Sequence, residues 1–390
     1  MRILFTFAGG SGHFLPLASV ARTAERAGHT VAFSGQEGMI PTVEAAGFAA
    51  FPSGGATLRP AGERSPLLEP DPEREARAIR ESFAGRIARE RATSLLAVCA
   101  EWRPDVLVCD EIDFGAVVAA ERLGLPHATV LCLASGSFVP ADLVVEPLNE
   151  LRAAHGLEPD PGLTMLGRYL VLSPFPPSFR DPAFPPPVTT HAYRPLAPDE
   201  EDETDSAWIA GPTDSPVVYL TLGTIFNLES GDLFERVLAG LGELPAQVAV
   251  TVGRELDPKI LGSQPANVHV RRYVPQSRLL PHCDLVVAHG GSGSVIGALT
   301  HGLPLVLLPL GADQPHNARR AEQLGVARVL DAVTATPAAV RDAAAEALAN
   351  PVYRQNAGRI RDEVAALPGP EHAVELLERL DRERSPVASR

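Results

Sequence analysis

The chain of 390 residues is poor in lysine, cysteine and aromatic side chains, and each shortage excludes something. Lys259 is the only lysine, so arginine carries nearly all the positive charge, and the formal net charge is −14. An acidic chain without a basic stripe is no nucleic-acid platform. The four cysteines, Cys99, Cys109, Cys132 and Cys283, show no CxxC and no close pairing. They read as buried free thiols in a reducing compartment, in preference to metal ligands. No apolar stretch is long enough to span a bilayer. Gly9, Gly10, Gly12 and His13 end the first apolar run too early for a signal peptide. A cytoplasmic protein without integral membrane association is therefore expected.

What is present is the composition of a soluble globular protein, 45% hydrophobic and 21% charged. The length suits two domains, each with its own core. In the first part, short apolar runs alternate with helical patterns. Strands are expected at Ile3–Phe7, Thr30–Phe33, Val106–Cys109 and Ala128–Leu133. Helices are expected at Leu15–Ala27, Glu37–Ala46, Arg74–Glu101 and Phe114–Leu123. This rhythm predicts a parallel sheet covered on both faces. Prolines at 174, 176, 177, 182, 185, 186, 187, 195 and 198 argue against regular structure there. The acidic run Asp199-Glu-Glu-Asp-Glu-Thr-Asp205 reads as a solvated linker.

A second alternation follows, with strands at Val217–Leu222, Val248–Val252, Val268–Val270, Leu285–Ala288 and Pro304–Leu308. Helices are expected at Leu233–Leu241 and from near Ser277, Ser292 and Gln314. The division expected is 1–198 for a first domain, 199–215 for the linker, 216–367 for a second domain and 368–390 for a terminal helix near the junction. The fold class is α/β: two Rossmann-like doubly wound domains facing across a cleft, their ligands beyond the strand C-termini. Three late helices, Ala338–Leu348, Tyr353–Leu367 and Glu371–Leu380, are candidates to pack across the junction.

The most informative segment is His289-Gly-Gly-Ser-Gly-Ser294. It begins where the apolar run Asp284-Leu-Val-Val-Ala-His289 ends, and it opens a helix. Gly290, Gly291 and Gly293 let backbone N–H groups approach a ligand, and the helix start adds partial positive charge. A histidine at the mouth can donate a further bond, so the segment suits a phosphate. Phe7-Ala-Gly-Gly-Ser-Gly-His13 is a second glycine-rich loop after a strand. Its spacing is not GxGxxG, and no carboxylate ends the next strand, so NAD is disfavoured.

His13 is placed to take a proton from a hydroxyl, or to cap or pack the helix. Asp110, just beyond the strand Val106–Cys109, can orient its ring; Glu111 and Asp113 are rivals, although Asp113 reads better as a helix N-cap. Gly223 and Thr224 offer an N–H and a hydroxyl to phosphate, or form an ordinary turn. Tyr273 can stack on a base whose edge the Val274 backbone reads, or belong to a plain loop. Asp313 and Gln314 can meet sugar hydroxyls or cap the next helix. His301 reads as a C-cap. The stretches Pro52–Pro70 and Ser135–Pro147 are long and partly apolar, so Leu67, Leu68, Phe138, Val139, Leu143 and Val144 either cradle a hydrophobic ligand or pack their own loops.

Together these pieces resemble the nucleotide-sugar glycosyltransferases of the two-Rossmann-domain (GT-B) type that glycosylate lipophilic natural products. Tyr273-Val-Pro-Gln276, His289-Gly-Gly-Ser-Gly-Ser294 and Pro309-Leu-Gly-Ala-Asp-Gln314 match the donor signature in order and spacing, and Gly-His13-Phe-Leu-Pro16 matches the acceptor-base motif. The likeness spans essentially the whole chain and is greatest to bacterial enzymes that decorate polyketide antibiotics, macrolides and enediynes among them.

The resemblance implies His13 as base and Asp110 as its partner. It implies His289, Gly290, Gly291, Ser292, Gly293 and Ser294 on the diphosphate with Gly223 and Thr224, Tyr273 and Val274 on the nucleobase with Gln276 nearby, Asp313 and Gln314 on the sugar, and Gly12 beside the donor. Plant relatives carry a ribose-binding Glu where this chain has Gly297, which points to a dTDP-sugar rather than a UDP-sugar.

The expected activity is inverting transfer of a deoxysugar to a hydroxyl of a hydrophobic small molecule, with no cofactor and no metal. Homodimerisation is the base-rate expectation, and some relatives need an auxiliary activator protein. The competing readings are a UDP-sugar transferase or nucleotide-sugar epimerase of the same fold, and a non-catalytic dTDP-sugar-binding auxiliary protein.

Overall fold

The computed structural model describes residues 1–54, 65–195, 215–224 and 226–389. The acidic run at 199–205 and the middle of the 52–70 stretch lie outside the described residues. The chain divides into two compact units. One comprises Met1–Arg59, Pro72–Ala197 and Leu367–Arg390, the other Pro60–Asp71 and Pro198–Ala366.

The first unit is built on seven parallel strands, β1 (Arg2–Thr6), β2 (Thr30–Gly35), β3 (Ala49–Pro52), β4 (Val106–Asp110), β5 (His127–Val130), β6 (Leu170–Ser173) and β7 (Thr190–Ala192), ordered β3-β2-β1-β4-β5-β6-β7. Alternate residues of a strand point to opposite faces. Ile3 and Phe5 accordingly join a core with α1 (Ser11–Arg26), while Leu4 joins the opposite core with α4 (Ala88–Trp102), α5 (Phe114–Leu123) and α6 (Ala141–Ala154). Strands buried on both faces must be apolar throughout, which is why they stood out as unbroken apolar runs.

The second unit repeats the plan with β8 (Val217–Thr221), β9 (Gln247–Thr251), β10 (Val268–Arg271), β11 (Leu285–Ala288), β12 (Leu305–Leu307) and β13 (Ala327–Val329), ordered β10-β9-β8-β11-β12-β13. Both sheets reverse direction of winding beside their first strand, between β1 and β4 and between β8 and β11. Loops leaving the C-terminal ends of those strands part there and open a crevice in each unit.

Several expectations change. The helix expected over 74–101 is α3 (Pro72–Arg77), a π-helical stretch Ala78–Ile87 and then α4. Gly85, a poor helix former, lies within the widened turns. The proline-rich region contains β7 after all: it is short and, among the described residues, pairs with β6 at the sheet's edge, which tolerates its proline neighbours. The loop expected at 135–147 turns into α6 from Ala141.

Of the three late helices, α11 (Pro337–Ala349) packs on α7 (Leu233–Leu241), and α12 (Pro351–Ala366) packs on α9 (Ser292–Thr300), both within the second unit. Only α13 (Pro370–Glu383) returns to the first unit, where Ala373, Val374, Leu376, Leu377 and Leu380 enter the core beneath α1. That spacing is one face of a helix, and each fully buried leucine contributes about 1.5–3 kcal/mol. Among the described residues no helix is long and apolar enough to cross a membrane.

Candidate functional site

In the first unit, β1 runs into the glycine loop and α1 starts at Ser11, which puts His13 in the helix's first turn. Gly9 has φ +139°, and a Cβ there would lie 2.5 Å from the His13 Cδ2, so the loop accepts the imidazole only because residue 9 has no side chain. His13 Nδ1 stands 3.0 Å from Oδ2 of Asp110, the last residue of β4. Asp110 is buried, and it also accepts the backbone N–H of Ala8 at 3.1 Å, Ile112 at 2.9 Å and Asp113 at 2.7 Å. Four donors fix the carboxylate. The Asp110 carboxylate beside Nδ1 favours the tautomer with its hydrogen there and its lone pair on Nε2. The His13 side chain is 21% exposed, so a ligand can reach it.

The rival carboxylates are engaged elsewhere. Asp113 caps α5 through the Ala116 N–H and forms a fully buried pair with Arg91 of α4, whose Nε lies 2.7 Å from Oδ1. Arg91 also donates to the Ser53 carbonyl and hydroxyl and to the Ser34 carbonyl, which satisfies its remaining donors inside the core. Glu111 accepts the N–H groups of Cys132 and Leu133, each at 3.0 Å, and so shapes the loop after β5. Burial pushes its carboxyl upward, opposed by Arg180 and those two N–H bonds. The same loop brings Cys132 Sγ to 3.3 Å from His13 Nδ1. His13, Asp110 and Cys132 offer donor atoms all within 4.8 Å of one another, a grouping of metal-ligating type among the described residues that spacing along the chain did not reveal.

In the second unit, β11 ends at Ala288 and α9 begins at Ser292, leaving His289, Gly290 and Gly291 as the turn. Gly290 has φ +91°, and the N-cap Gly291 supplies no side-chain bond to the first turn. The leading N–H groups of α9 are therefore uncapped by side chain, the arrangement that receives anions. The His289 ring lies against two glycines: a Cβ on Gly223 would fall 2.6 Å from its Nε2, and one on Gly291 2.5 Å. Burial pushes its pKa down to about 4, opposed by a backbone hydrogen bond with Thr221, so the ring is neutral near pH 7 rather than a cation. Its Nδ1 is buried without a hydrogen-bond partner. Gly293 is exposed, with nothing within 4 Å of where its Cβ would stand, and Thr224 is exposed at the end of the β8 loop.

Others of the residues expected on the donor gather around this turn. Ser292 donates to Asp313 Oδ2 at 2.6 Å, and Asp313 precedes α10 (Gln314–Gln323). Gln314 is buried, its Oε1 accepting the Leu310 and Gly311 N–H groups at 2.8 and 3.4 Å, so that oxygen is committed to the loop. Gln276 starts α8 (Gln276–Leu279) and donates to Ser294 Oγ at 3.2 Å. A Cβ on Gly297 would meet Gln276 Oε1 at 3.5 Å and Leu280 Cδ1 at 3.3 Å. Val274 is buried, and His301 is the C-cap of α9.

Two participants went unseen in the sequence. Asn317 donates to the Gly290 carbonyl at 3.0 Å, Ser292 Oγ at 3.1 Å and Asp313 Oδ2 at 2.7 Å, tying the turn to α10. Its only sequence signal was its place four residues after Asp313, on the same helix face. Arg254 stacks its guanidinium 3.6 Å from the Tyr273 ring centre, covering one face of that ring.

Four of the six apolar candidates fare differently from one another. Phe138 and Leu143 are half-buried against the core under α6, as loop packing required. Leu67 and Leu68 were expected with the first domain, and that is corrected. Ser65 donates its N–H to the Leu228 carbonyl at 2.7 Å and accepts that of Gly231 at 3.1 Å, which fastens the segment to the second unit. Leu67 packs on the second core, and Leu68 is 59% exposed. Gly12 lies exposed in the first turn of α1, in the first unit.

Residues 235–380 match the family described as erythromycin biosynthesis protein CIII-like, C-terminal domain. The chain is 30% identical over 325 residues to an aclacinomycin-T 2-deoxy-L-fucose transferase of Streptomyces galilaeus, covering 77% of this chain and 72% of that one. It is 28% identical to the TDP-daunosamine transferase DnrS of Streptomyces peucetius, over 99% of both chains. Among solved structures, the spinosyn rhamnosyltransferase SpnG complexed with thymidine diphosphate superposes with a TM-score of 0.80 at 23% identity, over 97% of this chain and 100% of that one. The chain belongs to the GT-B glycosyltransferases of antibiotic biosynthesis, a family that transfers deoxysugars.

Proposed function

We propose that this enzyme moves a deoxysugar from a dTDP-sugar to a hydroxyl of a hydrophobic polyketide aglycone, with inversion and without a metal. The observation that carries the reading is the 3.0 Å contact between His13 Nδ1 and Asp110 Oδ2. It leaves Nε2 as the proton acceptor and gives the imidazolium a carboxylate once the proton has moved. A protein that only bound dTDP-sugar would have no use for such a pair.

In this mechanism Nε2 of His13 removes the hydroxyl proton as the acceptor oxygen bonds to the anomeric carbon. The bond from that carbon to the diphosphate breaks on the opposite face. The leaving charge develops against the start of α9 and the neutral N–H of His289. The helix start and the ring supply the stabilisation that a cation gives elsewhere. Acceptor activation thus falls to the first unit and donor binding to the second.

A thymidine donor is supported by Gly297, which offers no acceptor for a ribose 2′-hydroxyl, and by two relatives, the rhamnosyltransferase complexed with thymidine diphosphate and the TDP-daunosamine transferase. Tyr273 stacks on the base with the face opposite Arg254. The test is to offer matched dTDP- and UDP-sugars with a panel of polyketide aglycones and to read products by mass spectrometry. Glycosylated aglycone with the dTDP-sugar supports the proposal. An epimerised sugar nucleotide, or a clear preference for the UDP-sugar, overturns it.

A further inference from the structure

We infer that His13, Asp110 and Cys132 form a site for a thiophilic divalent cation, zinc above all, whose occupancy switches off the proton acceptor. His13 Nδ1 lies 3.0 Å from Asp110 Oδ2 and 3.3 Å from Cys132 Sγ, and the three donor atoms stand within 4.8 Å of one another. Zinc with bonds of about 2.0–2.1 Å to nitrogen or oxygen and about 2.3 Å to sulfur sets neighbouring tetrahedral ligands roughly 3.3–3.6 Å apart. The two edges that meet at Nδ1 stand close to those values and the third is no longer than 4.8 Å, so the trio can close to one face of that tetrahedron, with water as the fourth ligand. Imidazole, carboxylate and thiolate suit zinc or cobalt; magnesium and calcium prefer all-oxygen sites.

The donors are held from behind. Asp110 is fixed by the N–H groups of Ala8, Ile112 and Asp113. Glu111 holds the N–H groups of Cys132 and Leu133, which keeps the thiol turned to the ring. Such outer support orients ligands before a metal arrives. Asp110 and Cys132 are buried, while His13 is 21% exposed and gives the ion its way in. The proposed transfer does not use Cys132, and it is the residue that makes this a metal-binding trio rather than a plain His–Asp pair.

The consequence is a tautomer switch. A cation takes the lone pair of Nδ1, so the ring hydrogen moves to Nε2. The thiol hydrogen leaves to water, and Asp110 exchanges a hydrogen bond for a metal bond. Nε2 is then a donor and cannot accept the hydroxyl proton. The binding half of this inference stands alone; the loss of turnover rests on the proposed function.

The experiment titrates the metal-free, reduced full-length enzyme with cobalt(II) and reads the thiolate-to-cobalt charge-transfer band and the ligand-field bands. One equivalent should bind in four-coordinate form, and zinc should displace it. Cys132→Ser should abolish the charge-transfer band, while Cys283→Ser keeps it. Zinc should then inhibit turnover, EDTA should restore it, and Cys132→Ser should need at least tenfold more zinc. Absence of the band at millimolar cobalt, or an undiminished band in Cys132→Ser, overturns the inference. Stoichiometric, Cys132-dependent binding that leaves turnover intact removes instead the role of His13 as base.

Discussion

The imidazole of His289 occupies the space that a side chain on Gly223 would need, with Nε2 2.6 Å from the position of that Cβ. Two strands' worth of sequence separate the pair, yet the end of β8 and the end of β11 are adjacent in the sheet, so the glycine and the histidine are one design. Gly223 also has φ +78°, so Gly223→Ala should cost both backbone strain and displacement of the ring. A loss of about 1–3 kcal/mol in chemical denaturation and a rise in donor KM are expected. An alanine variant with parental stability and parental KM would contradict the packing described.

Gly293 offers the complementary test. It is exposed in the first turn of α9 with open space beyond it, so Gly293→Ala should keep or raise stability, by up to about 1 kcal/mol. If the diphosphate lies on that turn, the added methyl group intrudes on it and dTDP affinity falls. Calorimetric titration with dTDP, set beside a thermal melt, separates the two effects. Unchanged affinity would remove the diphosphate from this turn.

His13→Ala should lower kcat by the ~10²–10⁴-fold characteristic of a lost general base. Asp110→Asn should do nearly as much by a different route. An amide has one acceptor oxygen, whereas Asp110 accepts from His13 and Ala8 on one side and from Ile112 and Asp113 on the other. One side must lose its bonds, so a stability loss of about 1–3 kcal/mol accompanies the fall in rate. Steady-state rates with matched denaturation curves decide this, and a fully active Asp110→Asn would rule out the pair. Transfer should persist in EDTA.

Acid should weaken the fold partly through His289. Its folded pKa is about 4, below the unfolded value of about 6.5. Between those values the unfolded chain binds the extra proton, so stability is complete above about pH 6.5 and is lost as pH falls towards 4, by about 3 kcal/mol. His127, also pushed down by burial, acts in the same direction. Urea unfolding at pH 7 and pH 4.5 should show the loss, and His289→Gln should flatten the slope. An unchanged slope in that variant would assign the acid sensitivity elsewhere.

Gly297→Glu should narrow the preference for dTDP- over UDP-sugar. The new Cβ meets only Leu280 and Gln276, at 3.3 and 3.5 Å, so small adjustments admit it, and the carboxylate supplies an acceptor for a ribose hydroxyl. The ratio of kcat/KM for the two donors is the measurement. A ratio that stays fixed would place the ribose away from residue 297.

What could be read beforehand was what short stretches of chain encode. Apolar runs marked the strands because both sheet faces are covered, and glycines marked the turns because backbone must pass close to His13 and His289. Asn317, Arg254 and Cys132 escaped because their partners arrive from elsewhere in the chain: Gly290 on another turn, Tyr273 after another strand, His13 on another helix. Leu67 was misplaced for the same reason, since two backbone bonds to Leu228 and Gly231 decide which core it joins. The tie between Asp110 and His13 was legible as a shared sheet edge; its choice over Glu111 and Asp113 required the positions of Arg91 and the loop after β5.

The docking of α13 bears on the order in which the protein assembles. Residues Leu367–Arg390 complete the unit begun by Met1–Arg59 and Pro72–Ala197, and Leu377 and Leu380 are wholly buried there. On the ribosome, the first unit must wait with an open apolar face until Leu367–Arg390 have been made. The carboxyl-terminal half, contiguous from Pro198 to Ala366 apart from one short segment, already has its main elements by then and can fold first. Removing Leu367–Arg390 should therefore damage the unit made earliest, leaving the second unit standing.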